Sequence, residues 1–345
     1  MKFAIIPWAD EFAKDKMFDD SLHRDGIAIP YIKMRDEFIR LGHDIHTIDY
    51  YESLDNVDYF LFFVLDWAWL LKLIRNGYAY KMVYCNAEPP AVDLMNTPSG
   101  FKILKNFFPY ILTWNDDWID NINIFKRNIP YYFDDYRRTA LRFEEKKLLT
   151  IISGNNYSDF PGELYSERRR AIAFFEKKCP EQFDFYGMGW DSDHGCYKGV
   201  ADSKFEVYNR YKFAICYENV GGYAGYITEK LLDCLVSGIV PIYAGASNIL
   251  DYVPENAFIS LDKFENYEEL YQYISSVSKE EYQGYLDSAN EFFNSDKTSF
   301  FKGEKYAEWI IAAVEHKKRF KISLKGYSYL FRRWLYTIRK KIRLT

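Results

Sequence analysis

The feature of this chain that most limits its fold is a regular alternation of strand-like and helix-like segments. KFAIIP (2–7) is a short apolar run, PYIKMRDEFIRLGH (30–43) carries apolar residues at helical spacing, and DIHTIDY (44–50) is strand-like again. YFLFFVL (59–65) and KMVYCNAE (81–88) continue the series. This alternation predicts a parallel sheet covered by helices, and such sheets bind ligands at the carboxyl ends of their strands.

A highly charged stretch with little apolar periodicity, Tyr131 to Lys147, interrupts the alternation, which starts again at LLTIIS. The sequence therefore predicts two α/β domains that face each other across a cleft. The predicted parts are an amino-terminal domain at 1–133, a linker at 134–147, a carboxyl-terminal domain at 148–316 and a basic amphipathic tail at 317–345.

The charge of the chain is unevenly distributed. The net charge is −5, yet the segment from Lys317 to Thr345 holds eleven Lys and Arg and no acidic residue, which leaves −16 on the rest. A strongly acidic body argues against nucleic acid as a partner. The basic end requires a separate explanation.

Cysteine usage and hydropathy indicate a cytoplasmic protein. None of the five cysteines forms a CxxC pair, and Cys85, Cys216 and Cys234 lie in apolar segments where a small buried thiol is usual. This usage favours a reducing compartment. The run MKFAIIPW is too short for a signal peptide, and Asp66 ends the run YFLFFVL before it reaches the length of a membrane span.

The segment YENVGGYAGYITEK (217–230) combines three glycines with a helix start. Glycines allow tight turns and close approach to a ligand. Thr228 is placed to cap the helix suggested by LLDCLVSG, so free amide groups would lie beside Lys230. A helix amino terminus with a nearby lysine is suited to bind phosphate.

The segment that contains this loop, Tyr211 to Phe264, resembles the donor-binding region of the α-1,3/1,4-fucosyltransferases, glycosyltransferase family 10, including its bacterial members. The family pattern is YKF, a Phe-Glu-Asn triplet, then tyrosine, a small apolar residue and Thr-Glu-Lys; here the triplet reads Tyr217, Glu218, Asn219. The later positions that match are Gly238, Pro241, Gly245, Leu261, Asp262 and Phe264. The resemblance implies the GT-B arrangement of two Rossmann-like parallel-sheet domains, with an amino-terminal acceptor domain and a carboxyl-terminal donor domain. It also implies inverting transfer of L-fucose from GDP-fucose.

The resemblance assigns donor-binding roles to residues of the carboxyl-terminal domain. Lys230 matches the family's phosphate-binding lysine, Glu229 a carboxylate that holds sugar or ribose hydroxyls, and Tyr226 and Asn219 other donor contacts. Three alternatives stay open: a solvated Lys230, a Glu229 that only complements the helix dipole, and a Tyr226 that only packs.

A second cation is expected from SERRRAIAFF, since an arginine fork suits a diphosphate. Counted back from the strand FDFYG, Arg170 best fits the family's phosphate-contacting arginine, and Arg169 is the second choice. Only one or two of Arg168, Arg169 and Arg170 can face the cleft.

An inverting transfer needs a base that takes the proton of the acceptor hydroxyl. Glu88 is the candidate because it follows a strand, at a predicted sheet edge that faces the cleft. The family's proposed base has a similar place, and Pro89 and Pro90 would stiffen the loop. The alternative is a surface glutamate in a turn.

Metal is not expected in the chemistry. The DSD triplet at 191–193 lies in a polar loop, and cationic side chains would supply the positive charge that a metal ion otherwise provides. No cofactor is expected besides the donor substrate GDP-fucose.

The carboxyl-terminal tail has apolar residues at helical spacing among basic ones. The stripe consists of Tyr327, Leu330, Phe331, Trp334, Leu335, Ile338 and Ile342. A basic helix with aromatic residues is typical of binding to an anionic membrane surface, here through 319–345. Packing of the helix on the protein body or a homodimer interface are the alternatives.

The predicted function is that of a cytoplasmic, peripheral fucosyltransferase. It would act on a GlcNAc-containing oligosaccharide or lipid-linked glycan, in α-1,3 or α-1,4 linkage, in lipopolysaccharide or surface-glycan synthesis. A GT-B transferase for another GDP-sugar and a non-catalytic nucleotide-sugar-binding protein are the alternatives. Acceptor contacts are expected from amino-terminal loops such as ADEFAKDKMFDDSLHRDG (9–26).

Overall fold

The computed structural model describes residues 1–23, 26–133, 141–316 and 319–342. Its amino-terminal part is a six-stranded sheet in the order β2-β1-β3-β4-β5-β6, and every strand pair is parallel. The strands are β1 (Lys2–Ile6), β2 (Asp44–Thr47), β3 (Tyr59–Phe62), β4 (Met82–Cys85), β5 (Tyr110–Thr113) and β6 (Ile124–Lys126). The predicted parallel sheet is therefore confirmed.

Helices cover both faces of this sheet, which explains why its central strands β1, β3 and β4 are mostly apolar runs. Phe3 and Ile5 of β1 pack in one core cluster, and Ala4 and Ile6 pack in another on the opposite face. The helices of this part are α1 (Ile29–Arg40), α2 (Trp67–Arg75) and α3 (Pro98–Leu104).

The carboxyl-terminal part is a five-stranded parallel sheet in the order β11-β10-β9-β7-β8. Its strands are β7 (Lys147–Ile152), β8 (Phe183–Tyr186), β9 (Tyr211–Tyr217), β10 (Val240–Ala244) and β11 (Ile259–Ser260). Its helices are α4 (Tyr165–Lys178), α5 (Lys204–Tyr208), α6 (Glu229–Ser237), α7 (Tyr267–Ser276) and α8 (Lys279–Phe293). Of the predicted linker, 134–140 lies outside the described residues, and its last residue, Lys147, already begins β7.

The strand order of each sheet reverses at one place, between β1 and β3 in the first sheet and between β7 and β9 in the second. At such a point the loops that follow the two strands run to opposite faces of the sheet. A crevice therefore opens between these loops at the carboxyl ends of the two strands. The order of the strands thus points to Ser153, after β7, and to Tyr217, at the end of β9, as the rim of a binding site.

Helix α9 (Gly303–Glu315) belongs to the amino-terminal core, although the sequence boundaries place it in the carboxyl-terminal domain. Its buried residues Tyr306, Ile310 and Val314 pack in the same cluster as Phe3. It approaches α1 so closely that a Cβ on Gly303 would lie 2.0 Å from the carbonyl oxygen of Pro30. The chain therefore crosses between the two parts twice.

Helix α10 (Leu324–Ile342) packs on the amino-terminal part with one face. Tyr329 stacks on Trp67 at 6.0 Å between ring centroids, and the guanidinium carbon of Arg333 lies 3.9 Å from the centroid of the Trp67 ring. Leu330 packs on the same side, whereas Phe331 and Trp334 are exposed. The part of the predicted stripe up to position 335 therefore divides between a docked face and an exposed one. Residues 317–318 and 343–345 of the tail, and the side chains of 337–342, lie outside the described part of the chain.

Among the helices that the structure describes, none is both long enough and apolar enough to cross a bilayer. All five cysteines are buried and none is in a disulfide, as the sequence indicated for Cys85, Cys216 and Cys234.

Candidate active site

The carboxyl ends of β7 and β9 enclose a small cavity of about 20 Å³. Ser153, Arg168, Tyr217 and Lys230 are among the residues that line it. Two cationic side chains therefore meet at the point where the strand order of the second sheet reverses. This is the place where an α/β sheet binds an anionic ligand.

Glu218 is a fully buried carboxylate directly behind this cavity. Its two oxygens accept hydrogen bonds from the backbone amide of Thr228 at 2.8 Å and from the Thr228 hydroxyl at 2.7 Å. Its Oε2 atom also lies 3.7 Å from the ammonium nitrogen of Lys230. Glu218 thereby connects the end of β9 to the start of α6.

Thr228 caps α6, as the sequence predicted, and its Oγ1 accepts a hydrogen bond from the Lys230 amide at 3.3 Å. The Lys230 ammonium group lies 3.2 Å from both Thr228 Oγ1 and Glu229 Oε1. Burial acts to lower the pKa of Lys230, but the carboxylates of Glu229 and Glu218 outweigh it and raise the pKa. Lys230 therefore stays cationic over the physiological range.

Glu229 opens the first turn of α6 and lines the larger cavity described below. Burial acts to raise the pKa of its carboxyl, but Lys230 and Lys204 outweigh it and lower the pKa to about 2. Its ionised carboxylate is a hydrogen-bond acceptor for hydroxyl groups.

Arg168, on α4, is the arginine that the structure places at the cavity. Its side chain is 5% exposed, and its Nη2 atom donates to the carbonyl oxygen of Tyr217 at 2.6 Å and to Asn219 Oδ1 at 3.0 Å. These bonds fix the plane of the guanidinium group, and its Nη1 atom lies 3.4 Å from Ser153 Oγ. Asn219 accordingly orients Arg168.

The two arginines favoured by the sequence do not join this cluster in the described structure. Arg170 is 68% exposed and pairs with Glu167 on the same helix. Arg169 donates to the Asn156 carbonyl and lies over the Tyr157 ring at 3.7 Å from its centroid. The physical reason is the register of α4, whose buried stripe contains position 168 and excludes the next two.

Glu88 lies in the other domain, just after β4, where the sequence predicted it. Its carbonyl oxygen accepts hydrogen bonds from Asn86 Nδ2 at 3.1 Å and from Asn96 Nδ2 at 2.8 Å, so the loop backbone is fixed. Burial raises the pKa of its carboxyl, and Lys230 opposes this while Glu229 adds to it. The charges of Lys230 and Glu229, at the start of α6, therefore act on Glu88 from the other domain.

Two tyrosines complete the wall between the domains. Tyr226 is buried and packs on Trp114 of the amino-terminal part at 4.7 Å between ring centroids. Tyr165, at the start of α4, lies beneath Arg168, whose guanidinium carbon is 5.0 Å from the ring centroid. Burial raises the pKa of Tyr165, the charges of Arg168 and Lys230 act to lower it, and that of Glu88 acts to raise it.

A larger cavity of about 740 Å³ opens between the two parts beside the α6 terminus. Its amino-terminal wall includes Asp20, His23 and Tyr31, and its other wall includes Lys204 and Glu229. This volume is in the range of small-molecule and cofactor sites. Asp20 and His23 belong to the loop from which the sequence predicted acceptor contacts.

No group of three or more His, Cys, Asp or Glu in the described parts of the chain is arranged to hold a metal ion. Asp191 and Asp193 of the DSD triplet are exposed.

Glu218 and Tyr165 belong to the candidate site but were not predicted from the sequence, and Arg168 was ranked behind Arg170 and Arg169. One readable signal was the helical spacing of Tyr165, Arg168, Ile172 and Phe175, which puts position 168 on the buried face of α4. For Glu218 the signal was its place inside the family triplet.

Comparison with known proteins identifies relatives of this chain among the fucosyltransferases. Residues 147–317 match the family described as glycosyltransferase family 10 (fucosyltransferase), C-terminal. An α-(1,3)-fucosyltransferase FucT of Helicobacter pylori is 35% identical over 89 residues, which is 26% of this chain and 18% of that protein. Human GDP-fucose protein O-fucosyltransferase 3 is 33% identical over 264 residues, which is 73% of this chain and 48% of that protein. The matches thus span less than half the length of these curated relatives.

The fold is that of solved GT-B enzymes. A crystal structure of an α1,3-fucosyltransferase with GDP-fucose aligns with a TM-score of 0.56 at 17% identity, covering 94% of this chain and 93% of that chain. The match of residues 147–317 places the chain in glycosyltransferase family 10, the fucosyltransferases.

Proposed function

We propose that this chain is an inverting fucosyltransferase, which transfers L-fucose from GDP-fucose to a hydroxyl group of a GlcNAc-containing glycan in α-1,3 or α-1,4 linkage. The observation that carries the proposal is the placement of Arg168 and Lys230 at one cavity at the carboxyl ends of β7 and β9. Lys230 also acts on the pKa of Glu88, which belongs to the other domain. The choice of donor is supported by the related α1,3-fucosyltransferase, which was crystallised with GDP-fucose.

Arg168, Lys230 and the first amides of α6 bind the diphosphate in this proposal. Negative charge grows on the departing GDP, and preorganised cations and amide donors stabilise it most when they are already in place. The bonds from Arg168 to the Tyr217 carbonyl and Asn219 hold one cation, and Glu218 and Thr228 hold the other. Arg168 thus takes the role that was predicted for Arg170 or Arg169.

Glu88 acts as the base. Its ionised carboxylate takes the proton of the acceptor hydroxyl as the hydroxyl oxygen attacks the anomeric carbon of fucose and the bond to the GDP phosphate oxygen breaks on the opposite face. A raised pKa brings a carboxylate closer to the working pH and makes it a stronger base. Its fixed loop backbone limits the directions in which it points.

The rest of the donor occupies the larger cavity, where Glu229 accepts hydrogen bonds from sugar or ribose hydroxyls. Tyr226, a residue of the loop before α6, contacts the donor in this proposal. Asn219 contributes indirectly, because it orients Arg168. The two cations neutralise the diphosphate, so the chemistry needs no metal.

The acceptor is a surface-glycan or lipopolysaccharide precursor in this proposal, an oligosaccharide or a lipid-linked glycan. The human relative named as a protein O-fucosyltransferase makes a peptide the other acceptor class to test. In this proposal the protein works in the cytoplasm, and the exposed aromatic face of α10 lies on an anionic membrane surface. A homodimer interface at this face is the alternative.

Transfer is tested by incubating the full chain with GDP-fucose and EDTA, together with lactosamine-type glycans or a peptide panel, and by following GDP release. GDP-mannose serves as the control donor, and the anomeric configuration of the product is read by NMR. Acceptor-dependent release from GDP-fucose alone, with an α-linked product, is the expected result. Release from a different GDP-sugar overturns the fucose assignment, and tight GDP binding without turnover favours a binding protein.

A further inference from the structure

Asp116, in the turn after β5, forms an unusually dense contact between the two parts of the molecule. Its Oδ2 atom accepts hydrogen bonds from Asn248 Nδ2 at 2.8 Å and from the Tyr252 hydroxyl at 2.7 Å, both in the carboxyl-terminal part. Its Oδ1 atom accepts from Lys126 Nζ at 2.5 Å, and the same ammonium group donates to the Tyr252 hydroxyl at 2.6 Å. One carboxylate therefore joins side chains from both sides of the cleft.

The same contact holds the backbone of the loop that precedes α6. Asn248 Oδ1 accepts a hydrogen bond from the amide of Gly225 at 2.7 Å, and the Asp116 amide donates to the carbonyl oxygen of Ala224 at 3.2 Å. Gly225 has φ +78°, and a Cβ there would lie 2.2 Å from the carbonyl oxygen of Trp114. The loop thus rests directly on the backbone of the amino-terminal part.

This anchoring has a reason in the chemistry of the loop. Residues 221–226 include three glycines, and glycine loses more conformational freedom on ordering than any other residue. A loop of this kind contributes to a binding site at full strength only if contacts outside it fix its conformation beforehand. Tyr226 follows Gly225 directly and packs on Trp114.

The charges of the contact are balanced. The side chains of Asp116 and Lys126 are 25% and 21% exposed. Burial acts to raise the pKa of Asp116, but Lys126, Asn248 and Tyr252 outweigh it and lower the pKa. The carboxylate stays ionised at neutral pH, and a second carboxylate beside it would be strongly repelled.

We propose that Asp116 and Asn248 are positioning residues for the donor: they hold the loop 221–226 in its binding conformation and keep the two domains closed on the donor. The proposal rests on the proposed function. Asp116 and Asn248 contact neither the reacting atoms nor the cations Arg168 and Lys230. Exchanging them should therefore change mainly the KM for the donor.

The test exchanges the two side chains. Asn248→Asp keeps the acceptor for the Gly225 amide and places a second carboxylate against Asp116; we expect donor KM to rise at least ~10-fold, because like charges at this separation repel by more than about 1.4 kcal/mol. Asp116→Asn in the same chain removes the repulsion from position 116 but leaves Asp251, whose Oδ2 atom lies 3.1 Å from Asn248 Nδ2, so the double variant should recover part of the loss, at least ~3-fold in KM. The control is Lys178→Ala, which breaks an exposed ion pair with Glu268 and should leave KM unchanged.

Hydrogen exchange of the Gly225 amide gives a readout that does not depend on transfer. In Asn248→Ala this amide loses its acceptor, and its exchange should become at least ~10-fold faster while amides of β9 keep their protection. If the wild-type chain transfers no fucose, the proposed function fails, and the exchange experiment still tests the anchor. Unchanged Gly225 exchange in Asn248→Ala, or a double variant no better than Asn248→Asp, overturns the proposal.

Discussion

The ammonium nitrogen of Lys230 lies 3.7 Å from the carboxylate of Glu218, which is fully buried. Burying a carboxylate is costly unless hydrogen bonds and an opposite charge compensate it. Burial raises the pKa of Glu218, and the charge of Lys230 and two hydrogen bonds from Thr228 oppose this rise. Glu218 therefore fixes both the cap of α6 and the position of the cation beside it.

Glu218→Gln tests this relationship with little change in shape. Glutamine has one acceptor oxygen, so it keeps only one of the two hydrogen bonds from Thr228, and it does not attract Lys230. We therefore expect kcat/KM for transfer to fall about tenfold or more, as for a lost charge-assisted contact of about 1.5–3 kcal/mol. Glu255→Gln, at an exposed ion pair with Lys263, is the matched control. Equal kcat/KM values for the two variants would contradict the role of Glu218.

Arg168→Lys tests whether Arg168, and not its neighbour Arg170, binds the diphosphate. Lysine keeps the charge but lacks the planar fork that bonds to the Tyr217 carbonyl and Asn219, so GDP affinity measured by calorimetry should fall roughly tenfold to a hundredfold. Arg170→Lys should bind GDP like the wild type, since Arg170 is exposed. The reverse order of effects would return the phosphate role to Arg170.

Most of the fold could be predicted from local patterns. The central strands β1, β3 and β4 are apolar on both faces because helices cover both, and this gives the short apolar runs that the sequence displays. The side of the molecule on which α9 packs could not be predicted. Its apolar stripe, which includes Tyr306 and Ile310, suits either sheet, and the choice depends on contacts with Phe3 and other residues about 300 positions earlier.

The positions of candidate site residues could be predicted where a motif or a strand end marks them, as for Lys230, Glu229 and Glu88. Their roles stay predictions. The arginine could not be chosen by counting from a strand, because a shift of two positions turns a helical side chain through more than half a turn, from the buried Arg168 to the exposed Arg170. The contact of Asp116 with Asn248 joins residues 132 positions apart and left no local signal.

The pH dependence of transfer should follow Glu88. Its carboxyl must be ionised to accept a proton, and burial raises its pKa, so kcat/KM should fall about tenfold per pH unit below that raised value. Lys230, whose pKa is raised, stays protonated throughout this range. In Glu88→Gln the residual rate should be at least ~100-fold lower and should lose this acid limb. A pH profile of the same shape in Glu88→Gln would exclude Glu88 as the base.

Glu88→Gln should also stabilise the folded chain at neutral and higher pH. Because the pKa of Glu88 is raised on folding, the folded state holds its proton more tightly than the unfolded state, and ionisation lowers the free energy of unfolding as pH rises through the raised value. Glutamine avoids this loss. In urea titrations the variant should exceed the wild type at pH 8, and the difference should vanish near about pH 4, where the unfolded carboxyl is itself protonated. A variant less stable than the wild type at pH 8 would show that Glu88 makes a favourable ionic contact.

The exposed face of α10 is expected to bind anionic membranes while the opposite face stays docked. Phe331 and Trp334 are 58% and 56% exposed, and burying both rings in an interface should contribute well over the roughly 1.4 kcal/mol of a tenfold change. The variant Phe331→Ser/Trp334→Ser should therefore partition at least ~10-fold more weakly onto phosphatidylserine-containing vesicles, with transfer to a soluble acceptor unchanged.

Tyr80→Ser, which removes an exposed aromatic ring elsewhere on the amino-terminal part, is the control and should bind vesicles like the wild type. Equal vesicle binding by both variants would contradict a role of this face at the membrane, and a change from dimer to monomer in Phe331→Ser/Trp334→Ser would identify a second copy of the chain as its partner.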